Sequence, residues 1–141
     1  MKYDMICIEG IDKTCKDLVG YIMCKLCNYK YIFIGRGLIS MMAYSKLYNR
    51  PYAFNPENAK NIIFINLNTE KLDWIARCEK SDEKPINFEE NVKAFRDAID
   101  ELKEKLGDDF KLIEFNVSHQ SLYDIAQEAL KYVEKLNNDA V

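Results

Sequence analysis

Residues 5–17 read Met-Ile-Cys-Ile-Glu-Gly-Ile-Asp-Lys-Thr-Cys-Lys-Asp. The apolar run from Met5 to Ile8 has no polar alternation, so it predicts a strand buried on both faces, as in a parallel sheet. Glu9-Gly10 and a polar loop follow, and Lys16 opens an amphipathic segment. The loop departs at two positions from the phosphate-cradling pattern G-x-x-x-x-G-K-[ST]. In that pattern glycines let backbone N–H groups turn inward, a helix N-terminus adds partial positive charge, and the Lys reaches the terminal phosphates. Gly10 and Lys16 stand at the pattern's spacing, whereas Cys15 takes the second glycine position and Asp17 the hydroxyl position. The same residues also suit a plain strand-to-helix turn.

Outward from this stretch, strands and helices alternate. Residues 3–8 predict the first strand. Residues 16–27 predict a helix with Leu18, Ile22 and Leu26 along its apolar side and Val19 and Met23 beside them. Tyr31 to Ile34 is a second short strand ending in Gly35-Arg36-Gly37, and a helix over 38–48 stops before Arg50-Pro51. Residues 49–60, with Pro51 and Pro56, read as a loop, and Ile62 to Leu67 as a third strand. A helix over 70–78 has Leu72, Ile75 and Ala76 as its apolar side, and the charged run 79–86 forms a solvated loop. Phe88, Val92, Phe95, Ile99, Leu102 and Leu106 recur at helical spacing over 87–106, and Gly107 closes that helix. Leu112 to Val117 is the fourth strand, and Ser121-Leu-Tyr-Asp124 reads as a capping box for the last helix, with Leu122, Ile125, Ala129, Leu130 and Val133 as its face. This order predicts a single α/β domain over 1–141 with a mostly parallel sheet of about four strands. Ligands of such sheets sit at the carboxyl ends of the strands, where the unusual loops fall: 9–16, 35–37, 68–69 and 116–120.

Composition bounds the function classes. With 141 residues, 48% hydrophobic and 30% charged, the chain matches an ordinary single globular domain. A net charge of −3 and the lack of a basic patch argue against a nucleic-acid partner. The five cysteines are an odd number, and Cys24-Lys-Leu-Cys27 has neither a second pair nor a histidine cluster to complete a zinc site, so free thiols are expected. No signal peptide or membrane-spanning stretch is evident, which gives a cytoplasmic expectation with no membrane partner.

The stretch Gly35-Arg36-Gly37-Leu38-Ile39-Ser40-Met41-Met42-Ala43-Tyr44 resembles the thymidylate kinase pattern D-R-[YF]-x-x-S-x-x-A-Y-Q, with Arg36, Ser40, Ala43 and Tyr44 in register. Residues 8–16 resemble the same family's E-G-[IL]-D-x-x-G-K, and the two matches occur in the family's order. Arg77 with the charged loop and Phe88-Glu89 looks like the family's lid region, and Asn116-Val-Ser118 like its adenine-side loop. The resemblance implies a minimal P-loop kinase-like, three-layer fold and magnesium-dependent transfer of the γ-phosphoryl group of ATP to a deoxynucleoside monophosphate such as dTMP. It makes Gly10, Asp12, Lys13, Thr14, Cys15, Lys16 and Asp17 the phosphate loop, with Lys16 at the donor phosphates and Asp17 as a magnesium ligand. Arg36 would hold donor and acceptor phosphates together, and Arg77 would meet charge developing in the transition state. Glu9, Asp12, Arg36, Ser40 and Tyr44 would serve the acceptor, Asp12 facing its sugar. A homodimer through the helix after Gly37 is implied as well, and the shortness of the chain is similar to that of kinase-like proteins carried by viruses of bacteria.

Other readings stand beside these roles. Lys13 and Arg77 also suit plain surface charges, Tyr44 helix-face packing, and Ser40 a hydroxyl bonded to a helical carbonyl. Glu9 is read as a general base or magnesium partner, or as a carboxylate satisfying loop amides. His119, the only histidine, falls in a predicted loop and carries no role. Three residues depart from the family pattern: Cys15 puts a side chain where a permissive dihedral is needed, Asp17 brings negative charge to the phosphate end of a helix, and Gly35 lacks the family's carboxylate. The segment that carries much of the family's acceptor pocket is reduced to the turn from Cys27 to Tyr31. The acceptor site is thus reduced, or completed by another subunit. A catalytically inactive relative that binds nucleotide or protein is the alternative reading.

Overall fold

The computed structural model describes residues 2–53 and 55–140. Met1 and Val141, at the ends of the predicted domain, and Phe54, in the predicted loop 49–60, lie outside the described residues. The chain runs β1 (Met5–Gly10), α1 (Lys16–Leu26), β2 (Ile32–Gly35), α2 (Leu38–Leu47), β3 (Ile62–Asn68), α3 (Lys71–Lys80), α4 (Phe88–Leu106), β4 (Lys111–Asn116) and α5 (Leu122–Asp139). Short 3-10 turns at Pro56–Ala59 and Gly107–Asp109 precede β3 and β4. The four strands form one sheet in the order β2-β1-β3-β4, every neighbouring pair parallel. The predicted α/β architecture with a parallel sheet is therefore the observed one.

Both faces of the sheet are covered, which makes three layers. Ile6, Ile8, Ile63, Ile65 and Phe115 pack toward α1 and α5, against Val19, Met23, Ile125, Ala129 and Val133. On the other face Cys7 and Phe64 pack with Ile39 and Ala43 of α2, Trp74 of α3, and Phe95, Ile99 and Leu102 of α4. The period of two along the strands and of 3.6 along the helices delivers these two clusters. No helix among the described residues is long and apolar enough to cross a membrane.

Several boundaries and faces differ from expectation. The first strand runs 5–10 rather than 3–8 because Glu9 and Gly10 stay in the ladder, paired with Asn66 and Leu67. On α1 the core face is Lys16, Val19 and Met23, while Leu18 is 55% exposed. Lys16 is held in the preceding loop, and that anchor sets the helix's rotation. Gly20, on the same side, lets the helix approach Ile8, whose Cδ1 would lie 3.1 Å from an added Cβ. On α3 the buried residues are Trp74 and Cys78, and Leu72 is 81% exposed. The helix is turned this way because Trp74 Nε1 donates to Asp12 O at 3.1 Å. In α4 Phe95, Ile99, Leu102 and Leu106 are buried as expected, joined by Ala94 and Ala98, while Val92 is partly exposed. The last helix begins as its motif predicts, the Ser121 hydroxyl accepting from Asp124 N.

Gly10 is the tightest point of the framework. Its φ of +141° lies outside the range of L side chains, and an added Cβ would sit 2.5 Å from Leu67 O. Gly10→Ala is expected to cost about 3 kcal/mol, combining a strained dihedral with overpacking against backbone. A urea denaturation series measures this, and a loss below about 1 kcal/mol would show that β1 and β3 can part at this point.

Candidate functional site at the strand carboxyl ends

Gly10 turns the chain out of β1, and two left-handed residues, Lys13 (φ 65°) and Cys15 (φ 64°), curl residues 10–16 into a compact loop at the start of α1. Thr14 is buried in this loop, its hydroxyl donating to Ile11 O at 2.8 Å. Lys16 folds back inside the curl, its Nζ donating to Gly10 O and Ile11 O, both at 2.8 Å. Only 8% of the residue is exposed. Burial, assisted by the nearby Arg36 charge, lowers the Lys16 ammonium to a pKa of about 8. Cys15 is the N-cap residue of α1 without a side-chain cap, in the left-handed conformation anticipated for the second glycine position.

A second group surrounds Asp12 on the next turn of the loop. Arg36, also left-handed (φ 64°), pairs with the Asp12 carboxylate through Nη2. The Tyr44 phenol lies in the field of the same carboxylate; burial first and the Asp12 charge second raise it to a pKa of about 12. Tyr44 also stacks on Tyr48 and meets Phe95 edge-on, so it is both packing residue and site residue. Asp12, Arg36 and Tyr44, expected around an acceptor, are thus brought together. Arg77 approaches from α3 and donates through Nη1 to Lys13 O at 3.2 Å and to Thr69 Oγ1 at 2.8 Å. Lys13 in turn pairs with Glu83 at 3.0 Å, which ties the loop after α3 to the curl.

Glu9 and Ser40 occupy a different place from the rest. Glu9 is fully buried, and its carboxylate accepts from Gly37 N at 2.8 Å, Ile39 N at 2.7 Å and the Ser40 hydroxyl at 2.7 Å. Burial pushes this carboxyl up, while the Ser40 hydroxyl and the amides of Gly37, Ile39 and Ser40 pull it back toward the ionised form. Glu9 therefore caps α2 from a neighbouring strand, in line with the amide-satisfying reading of this residue. Ser40 spends its hydroxyl on that carboxylate rather than on a helical carbonyl. Gly37 is required here because an added Cβ would lie 2.6 Å from Cys7 Sγ.

Lys13, Lys16, Arg36 and Asp17 border a hollow of about 280 Å³. Among the described residues no group of three or more His, Cys, Asp or Glu is arranged to hold a metal ion. The five cysteines are free. Trp74, Thr69 and Glu83 hold Asp12, Arg77 and Lys13 in place; the sequence reading did not single out Trp74, and it named Thr69 only within the strand-end loop 68–69 and included Glu83 only within the charged run 79–86. The lone tryptophan was the available signal for the first. No protein-family model matches the chain, and a search of curated proteins finds no match to it.

Two substitutions test this local account. Glu9→Gln keeps the shape but sets an amide NH₂ against a backbone N–H, since both carboxylate oxygens accept; a loss of about 2 kcal/mol is expected by urea denaturation. Cys15→Gly relieves the left-handed strain and is expected to add about 0.5–1 kcal/mol, the sign being the decisive observation.

Proposed function

We propose that this chain is a nucleoside monophosphate kinase-like protein that binds ATP and magnesium and phosphorylates a deoxynucleoside monophosphate such as dTMP. The observation that supports the reading most is the curled loop at the end of β1 with the Lys16 ammonium inside it and Lys13, Arg36 and Arg77 within its surroundings. A plain turn has no need of a nearly buried ammonium bonded to its own carbonyls. In this reading Lys16 exchanges those carbonyls for the β- and γ-phosphates, and the loop amides with the N-terminus of α1 complete the cradle. Arg36 spans donor and acceptor phosphates, Lys13 adds charge beside the transferred group, Asp12 faces the acceptor sugar, and Tyr44 lines its pocket. Arg77 meets charge that develops during transfer. The acceptor phosphate oxygen forms a new bond to the γ-phosphorus as the bond to the β-phosphate oxygen breaks and ADP leaves.

The altered carboxylates also suit this proposal. Asp17 Oδ1 lies 3.5 Å from where a side chain at Gly35 would begin, so one carboxylate stands at the end of β2 although position 35 has none. Magnesium would be held by Asp17 and the bound phosphates, and when bound it neutralises charge on the transferred group. Glu9 and Ser40 act as positioning residues, fixing the start of α2 and hence Arg36 and Tyr44.

One observation favours the second reading, a catalytically silent relative that binds nucleotide or protein. Each cation of the site has an internal partner: Lys13 with Glu83, Arg36 with Asp12, Lys16 and Arg77 with loop oxygens. Calorimetric titration with ATP and magnesium and then dTMP, followed by an assay for ADP, separates the two. Binding with ADP formation, both lost in Lys16→Ala, is the expected result; binding without ADP selects the silent relative, and binding of neither removes nucleotide from both readings.

The Lys16 pKa adds a sharper test. The ammonium is charged at pH 7 and loses its proton as the pH rises through about 8, so ATP affinity is expected to weaken about tenfold between pH 7 and pH 9. Lys16→Arg, whose charge does not titrate in this range, is expected to flatten that dependence.

A further inference from the structure

Helix α1 carries two apolar faces. Val19 and Met23 turn into the core and are fully buried, a choice fixed by the anchoring of Lys16 in the preceding curl. Leu18, Ile22 and Leu26 follow one another at i, i+4 and i+8 on the adjoining side. Leu18 is 55% and Leu26 40% exposed, while Ile22 is half-buried at the margin of the core. Tyr21, one turn from Leu18, is 60% exposed, and Tyr29, in the turn after the helix, is 61% exposed. The Lys25 ammonium joins these two rings, 5.5 Å from the centroid of Tyr21 and 5.6 Å from that of Tyr29. Leucines and tyrosines thus form one outer face from residue 18 to residue 29.

This face exceeds the scattered apolar side chains that any surface carries. Of the twelve large apolar side chains exposed among the described residues, four fall within it. At these exposures its side chains present roughly 500 Å², the upper end of what a monomer leaves uncovered. Two copies set face to face bury about 1,000 Å² in total, the lower bound for a specific interface, before any polar rim is added. Charge does not select another occupant. Lys25 is the only ionised side chain between 18 and 29, too few cations for a polyanion or an acidic surface, and it already lies over two rings. The stripe is also self-complementary, reading Leu, Ile, Leu at four-residue intervals from either end. A two-fold axis through Ile22 sets Leu18 of one copy against Leu26 of the other, twice, and Ile22 against itself.

We propose that this face seats a second copy of the chain, the two α1 helices packing antiparallel about a two-fold axis through Ile22. Tyr21 and Tyr29 supply the aromatic anchors beside the seam. The interface differs from the one the resemblance implies, which lies on the helix after Gly37, where Met41 is 45% exposed.

Sedimentation equilibrium of the full chain without nucleotide tests the proposal. A dimer with a Kd on the order of 10 µM is expected. Leu26→Glu, which enters the interface twice, is expected to weaken it about thirtyfold. Adding Leu18→Lys to Leu26→Glu is expected to recover about tenfold of that loss, because the two positions meet between copies. Within one chain they lie two turns apart and do not meet. Tyr29→Asn, outside the helix, is expected to weaken the dimer about fivefold and decides the matter if Leu26→Glu does not fold. Met41→Glu is expected to leave the dimer unchanged. A chain that stays monomeric at about 200 µM, a dimer that Leu26→Glu and Tyr29→Asn leave intact, a dimer lost in Met41→Glu alone, or a double variant no tighter than Leu26→Glu would each overturn the proposal. No nucleotide enters the measurement, so its failure and the failure of the kinase reading are distinguishable.

Discussion

The Glu9 carboxylate ties the middle strand of the sheet to the start of α2, and the geometry of the strand ends follows from that tie. A buried anion needs donors on both oxygens, and the first amides of a helix are donors without intrahelical partners. Each side supplies what the other lacks: Gly37 N, Ile39 N and the Ser40 hydroxyl satisfy Glu9, and Glu9 offsets the partial positive charge of the helix N-terminus. The close approach is possible only because position 37 has no Cβ. With α2 fixed in this way, Arg36 and Tyr44 converge on Asp12 from one side while the curl of residues 10–16 presents Asp12 from the other.

Three of the eight non-glycine residues with positive φ among the described residues stand where the charged groups of the candidate site gather. Lys13, Cys15 and Arg36 all have positive φ without being glycine, and all stand at or beside the ends of β1 and β2. Such conformations persist where the surroundings over-determine them. Here the determinants are the Lys16 ammonium inside the curl, the Trp74 indole on Asp12 O, and the Arg77 guanidinium on Lys13 O. The curl is therefore clamped by α3 as well as by its own lysine. A ligand that captures Lys16 or Lys13 must displace existing bonds, so the affinity of this loop for an anion is a difference between two sets of contacts rather than the strength of one.

On its α4 side the sheet has two unlike halves, because the register sets Glu9, Asn66 and Glu114 in one polar row across β1, β3 and β4. The amino-terminal half is a conventional apolar core, while the carboxyl-terminal half carries side chains that a core would exclude. Glu114 is made tolerable by bidentate Arg96. Burial opposes its charge and the arginine restores it, so the carboxyl stays below the usual range. Asn66 is the member whose hydrogen bonding is incomplete.

The alternation of elements, the parallel sheet and the caps at Gly107 and Ser121 were legible in the sequence, because strand period, helix period and cap chemistry are local properties of consecutive residues. So was the position of the loop at the end of the first strand. The rotation of α1 was not: Leu18, Ile22 and Leu26 form a stripe as regular as that of Val19 and Met23, and only the anchoring of Lys16 decides between them. The same holds for α3, where Trp74 rather than Leu72 turns inward. Glu9 caps a helix that begins about thirty residues later, and Asn66 meets Glu114 across 48 positions. No periodicity spans such separations. The sequence by itself determined which elements form and in what order, since that depends on neighbours along the chain. The tertiary structure decided which faces meet and which polar groups are satisfied, since that depends on neighbours in space.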